Sequence, residues 1–193
     1  NIENAILKFL SKVAQTHTAI YPINSILKIY GRRSKRDDSA HFMSLAVNSL
    51  ANYLIAIKKQ GLTAPPNSDM IFQIIFESLS ICNGKVNPLP LLSVKELFKE
   101  GVFELAPNFL EPTFQAINEI CQLPNEGQPT YDETNAATVS LLFVLFMLMG
   151  ENFDVETYLK FMISVLPATF KNYSQDIYNS LIELFQKYTQ LFE

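Results

Sequence analysis

Histidine, cysteine and the carboxylates are the residue types that most often carry catalysis or hold metals, and this chain places few of them together. Its only histidines, His17 and His41, have no cysteine or carboxylate at ligand spacing, so no zinc site is expected. No glycine-rich phosphate loop and no Gly-x-Ser-x-Gly turn occurs. Cys82 and Cys121 each end an apolar helical pattern, where a reduced thiol serves as a small hydrophobe. Carboxylates such as Glu77, Glu96, Glu104, Glu119, Glu156 and Glu183 are scattered over polar helix faces, where solvation is their ordinary role. No pair of them suggests general acid–base work. The reading is a protein without catalytic residues and without a cofactor. One local charge feature stands out, the run Gly31-Arg-Arg-Ser-Lys-Arg-Asp-Asp38. Its Arg32, Arg33, Lys35 and Arg36 could meet a phosphate or an acidic partner. Equally, the run reads as a solvated loop whose Asp37 and Asp38 favour the start of the next helix.

The elements that would carry these residues are helices. Apolar residues make up 48% of the 193 residues against 18% charged, with 15 Phe and 8 Tyr, which calls for extensive packed surface. A net charge of -4 argues against direct binding of nucleic acid. The longest apolar run, Val139 to Met149, is too short for the ~20 residues of a membrane-spanning helix. Asn172-Tyr173-Ser174 matches a glycosylation sequon, a triplet common by chance.

Glycine and proline set the boundaries. Gly31, Gly61, Gly84 and Gly150 follow apolar runs of helical period, as left-handed residues just past a helix end do. Gly101 falls inside such a run, at an expected cost of about 1 kcal/mol relative to Ala. Pro22 and Pro112 suit first-turn positions, whereas Pro65, Pro66, Pro88, Pro107, Pro124, Pro129 and Pro167 fall between patterns. Between these stops the apolar residues recur at the 3.6-residue period. The first stripe is Ile2, Ala5, Ile6, Phe9, Leu10 and Val13, the second Ile23, Ile26, Leu27 and Tyr30. Phe42, Leu45, Ala46, Leu50, Tyr53, Leu54 and Ile57 precede Ile71, Ile74, Ile75, Leu79 and Cys82. Leu91, Val94, Leu97, Phe98, Val102 and Leu105 precede Leu110, Thr113, Ala116, Ile117, Ile120 and Cys121. The nearly all-apolar Ala136 to Met149 precedes Val155, Tyr158, Leu159, Met162 and Leu166, and a last segment starts at an N-cap, Ser174.

Paired in order, these segments form helical hairpins over approximately 1–33, 39–83, 89–123 and 132–167, with a partial fifth over 174–193. The repeat length of roughly 40 to 45 residues is that of HEAT or armadillo units. The expected fold is all-α, a HEAT-like α-α superhelix (solenoid) of about four and a half hairpins in a single domain. A closed helical bundle is the rival. With no initial Met and a last residue inside an amphipathic pattern, the chain reads as a fragment of a longer solenoid.

Particular segments resemble a known family. Ala5 to His17 followed by Ile20 to Leu27 resembles a HEAT hairpin of the importin-β superfamily, the β-karyopherin nuclear transport receptors. Phe109 to Ile117, a loop, Tyr131-Asp-Glu-Thr-Asn-Ala-Ala-Thr138, and Tyr158 to Pro167 ending Val165-Leu-Pro are similar to two adjacent repeats of that family. Tyr173 to Leu184 is similar to the repeat that follows. The resemblance implies a receptor in cytoplasm and nucleus that carries protein cargo under control of the Ran GTPase and meets Phe-Gly nucleoporins, with no membrane insertion. It further implies a concave side built from second helices, on which Glu77, Glu111, Glu119, Asp154 and Glu156 would form a mildly acidic surface for protein partners. The alternative is a HEAT-repeat scaffold or regulatory subunit unrelated to nuclear transport.

Overall fold

The computed structural model describes residues 2–33, 40–81, 88–121 and 131–149. All of its regular elements there are helical: α1 (Ile2–Thr16), a 3-10 turn (Thr18–Ile20), α2 (Ile23–Arg33), α3 (Ala40–Lys59), α4 (Ser68–Ile81), α5 (Pro88–Lys99), α6 (Pro107–Cys121) and α7 (Tyr131–Met149). Each of the first three spans expected to be a hairpin holds two of these helices. The expected partner of α7 and the fifth segment lie outside the described residues, as do Gly84, Gly150, Pro124, Pro129, Pro167, Cys82 and the sequon.

Contacts follow a simple order. Odd-numbered helices pack in sequence, α1 on α3, α3 on α5 and α5 on α7, while α4 packs on α6, and α2 and α4 on α3. The core is continuous from Leu7 on α1 to Leu145 on α7.

α3 sits at the middle of this order. Phe42, Leu45, Ala46, Leu50, Tyr53, Leu54 and Ile57 are all buried as the period requires. So are Met43, Ser44, Val47, Ser49, Ala51 and Ala56, which places apolar contact almost all round the helix. Residues small enough for close helix approach, Ala46, Ser49 and Ala51, lie among them.

A second node joins the even helices. Phe103, between α5 and α6, stacks on Phe109 with ring centroids 4.7 Å apart and on Phe76 at 5.3 Å. It also meets Phe72 and Phe98 edge-on at 5.3 and 5.4 Å. Offset stacked and edge-to-face geometries suit the aromatic quadrupole. One residue outside any helix thus holds α4, α5 and α6 together.

This node corrects the expected end of α5. The apolar pattern through Val102 and Leu105 suggested a helix crossing Gly101, yet Gly101 has φ +68° and terminates it. Gly101 N–H donates to the Phe98 carbonyl at 3.0 Å and Val102 N–H to that of Leu97 at 2.9 Å, the paired bonds of a Schellman end. Gly61, at φ +64°, does the same for α3, with Gly61 N–H on Lys58 and Leu62 N–H on Ile57. Gly31 reverses the other way: it lies within α2 and does not follow it. Pro88 and Pro107, expected between helices, are the first residues of α5 and α6, where no intrahelical N–H is required. Pro112, expected in a first turn, is inside α6. The carbonyl it leaves without a donor belongs to the exposed Asn108, where water can serve it.

α1 holds a further correction. Of the expected stripe, Ile2, Ala5, Ile6 and Phe9 are exposed and Leu10 and Val13 half-buried. Leu7 and Ala14 are buried instead. Ser11, on their side of the helix, hydrogen-bonds to α3. Ala14 has no exposed surface, and its small side chain lets the backbones come close.

The two misassigned glycines give opposed expectations. Gly101→Ala forces a Cβ into the left-handed region and should cost about 1–2 kcal/mol. Gly31→Ala, in a helix with open space around its Cβ position, should stabilise by about 0.5–1 kcal/mol. Urea midpoints of the two variants, at unchanged slope, measure both.

Candidate protein-binding surface

Only one stripe of α3 approaches solvent along its length, Asn48, Asn52, Ile55 and Lys59, spaced 4, 3 and 4 residues apart and therefore on one face. Asparagine ranks low as a helix former, and two one turn apart in an apolar helix need partners. They find them on both neighbouring helices. Asn52 Nδ2 donates to Ser11 Oγ of α1 at 2.6 Å, and Ser11 Oγ donates to Asn48 Oδ1 at 3.1 Å. Asn48 Nδ2 donates to Ser93 Oγ of α5 at 3.3 Å, and Ser93 Oγ donates to the Leu89 carbonyl at 2.9 Å. The result is a half-buried polar ladder running α1–α3–α5.

Beside the ladder opens a pocket of about 350 Å³ lined by Gln15, Asn52, Ile55, Ala56, Lys59, Glu96 and Glu100. Its floor is α3, and its walls are α1 and α5. Lys59 Nζ lies 2.9 Å from Glu100 Oε1 across the rim, with the lysine side chain 58% exposed. An ion pair this open is worth only about 0–1 kcal/mol, so an incoming group can displace it at little cost. Side-chain amides, a short apolar floor and charges of both signs suit contact with a polypeptide.

Groups for covalent chemistry are not gathered here. His17 is exposed, its Nδ1 2.7 Å from Thr16 Oγ1, and His41 is exposed at the start of α3. Among the described residues no group of three or more His, Cys, Asp or Glu side chains could hold a metal ion. Among them also, no helix is long and apolar enough to cross a membrane. Comparison with family models, curated proteins and solved structures yields no match.

The residues singled out in the sequence lie elsewhere. Glu77 on α4 is exposed, Glu111 on α6 is exposed, and Glu119 on α6 is half-buried. α4 and α6 pack on each other, so these carboxylates belong to one helix pair. Glu77 accepts from Gln73 Nε2 at 2.8 Å and Glu119 from Gln115 Nε2 at 3.0 Å, each one turn back on its own helix. Arg32 is exposed near the end of α2. Asp154, Glu156, Lys35 and Arg36, and the side chain of Arg33, lie outside the described residues. Sequence reasoning passed over Ser11, Asn48, Asn52 and Ser93. Their signal was present: Asn48 and Asn52 interrupt an apolar helix at a spacing of 4.

A second polar contact fixes an adjacent side of α3, about 100° round the helix from the ladder. Tyr21, just after the 3-10 turn, stacks on Tyr53 with centroids 4.5 Å apart, and its hydroxyl lies 2.6 Å from Ser49 Oγ. Burial drives the Tyr21 phenol well above the ordinary tyrosine range, opposed in part by the Ser49 hydrogen bond and assisted by the nearby Tyr53. Burial also raises Tyr53. A raised folded-state value means that these phenols support the fold while neutral. That support is complete below the unfolded tyrosine value of about 10 and is lost as pH rises above it. Tyr21→Phe should cost about 1–2 kcal/mol at neutral pH, because the fully buried Ser49 loses its partner. It should also make unfolding between pH 10 and 12 less steep, as followed by circular dichroism.

Proposed function

We propose that this chain is a protein-binding segment of a HEAT-type α-α superhelix, acting as a surface and not as an enzyme. The observation that carries the reading is the order of packing: odd helices contact one another in chain order, and α4 contacts α6. In a stack each hairpin buries its apolar face against the next, and the edges of the layers remain as long surfaces for partners. The ladder and pocket along α1, α3 and α5 form such a surface, with polar groups already ordered for contact.

A stack is elongated where a bundle is not. A compact domain of this length has a radius of gyration of about 16 Å. Small-angle X-ray scattering should give a clearly larger value, roughly 20 Å, and a skewed distance distribution. A value near 16 Å would favour the bundle.

Within this reading, the transport-receptor form draws on the resemblance of Ala5 to Leu27 and Phe109 to Thr138 to β-karyopherin repeats. It requires capture by immobilised Phe-Gly peptide and a response to Ran loaded with GTP. Binding to neither assigns the chain to the scaffold class.

A further inference from the structure

The pocket beside the ladder is richer in hydrogen-bond acceptors than in donors. Its α5 wall carries two carboxylates one turn apart: Glu100 directly follows the helix, and its N–H donates to the Glu96 carbonyl at 2.9 Å, which keeps both on one face. Among the described residues Glu96 accepts no hydrogen bond, and Glu100 accepts one, from Lys59. Asn52 makes both of its bonds through Nδ2, to Ser11 at 2.6 Å and to Asn48 at 3.4 Å, so its Oδ1 is a further acceptor without a donor there. Each carboxylate alone has about four acceptor positions. Against these, the side-chain donors of the lining that the ladder does not engage are the Lys59 ammonium and the Gln15 amide.

The cations already present hold these acceptors loosely. Lys59 reaches Glu100 across the rim with its side chain 58% exposed, and Lys95 approaches Glu96 from the next position in the chain at 3.3 Å, with Glu96 40% exposed. Pairs this open exchange partners readily. Between the walls the floor is apolar, made by Ile55 and Ala56. An occupant complementary to this lining has a positive charge, several donors, no acceptor at its tip and an apolar stem. Arginine combines all four, with five N–H donors in a planar fork that engages two carboxylate oxygens at once. Lysine offers a compact, strongly hydrated ammonium with three donors.

We propose that the pocket is a subsite for one arginine side chain of a partner polypeptide, with the stem over Ile55 and Ala56, the guanidinium on Glu96 and Glu100, and Lys59 displaced into solvent. This rests on the reading of the α1–α3–α5 surface as protein-binding and adds what that surface selects. At about 350 Å³ the pocket is at the small end of ligand sites, about 300–1,000 Å³. That suits a single side chain whose main chain stays outside, where the exposed Gln15 amide meets it. Floor and walls belong to α1, α3 and α5, so the subsite is complete whatever precedes or follows these helices.

The test is titration of the isotope-labelled chain with blocked tripeptides, followed by the side-chain amide resonances of Gln15 and Asn52 in proton–nitrogen correlation spectra. Ala-Arg-Ala is the probe, and Ala-Lys-Ala, its uncharged isostere Ala-citrulline-Ala and free arginine are the comparisons. The expected result is saturable shifts of both amides, with affinity about tenfold or more above that for citrulline and about threefold above that for lysine. Glu96→Gln with Glu100→Gln should weaken arginine binding about tenfold or more. Lys59→Met, which removes the competing cation, should strengthen it about two- to fivefold. All three positions reach solvent, and circular dichroism should report an unchanged fold. Equal binding of the citrulline peptide would overturn the proposal, as would tighter binding of free arginine than of the tripeptide. So would shifts confined to Gln73 and Gln115, the amides beside Glu77 and Glu119. Scattering decides the stack separately: an elongated chain without arginine preference keeps the stack and removes this subsite, whereas arginine selectivity in a compact chain keeps the subsite and removes the stack.

Discussion

Burial of α3 on nearly every side is the constraint from which the rest follows. A helix covered by α1, α5, α2 and α4 cannot be satisfied by any one hairpin, so its sequence makes sense only when neighbours are already in place. Its buried serines and alanines set how closely those neighbours approach, and its tyrosine sets where the chain between α1 and α2 must lie. Such coupling favours a cooperative unit over independent hairpins.

Polar groups in this structure specify what apolar contact leaves open. Leucine and isoleucine tolerate several helix registers at modest cost, but Asn52 to Ser11 and Asn48 to Ser93 are satisfied in one alone. The ladder therefore orients α1 and α5 on α3 at the same time, and the pocket arises where it meets the Lys59–Glu100 pair. Phe103 plays the corresponding part for the even helices, by shape instead of hydrogen bonding.

Much of the fold was legible because the 3.6-residue period reports buried faces wherever a helix has one of them. The core positions of α4 and α6, Ile71, Ile75, Leu79, Leu110, Ile117 and Ile120, are all buried as expected. α1 was misread because it has two apolar faces, and periodicity does not say which turns inward. Ser11 and Ala14 decide that through a hydrogen bond and a close approach, both of which require α3 to be present. Gly31 and Gly101 exchanged roles for a related reason. Apolar residues follow Gly101 because Phe103 is drawn into an aromatic cluster, and the continued pattern imitates a continued helix. The ladder escaped notice since an asparagine within a helix ordinarily faces water, and only the positions of Ser11 and Ser93 reveal otherwise.

Native-state hydrogen exchange read by mass spectrometry addresses the central place of α3 most directly. Amides from Phe42 to Ile57 should exchange slowest of all the described helices, at the rate set by global unfolding. α1, with one face on α3 and the other in solvent, should open first by local unfolding. Equal protection of α1 and α3, or faster exchange in α3 than in α4 and α6, would contradict the account.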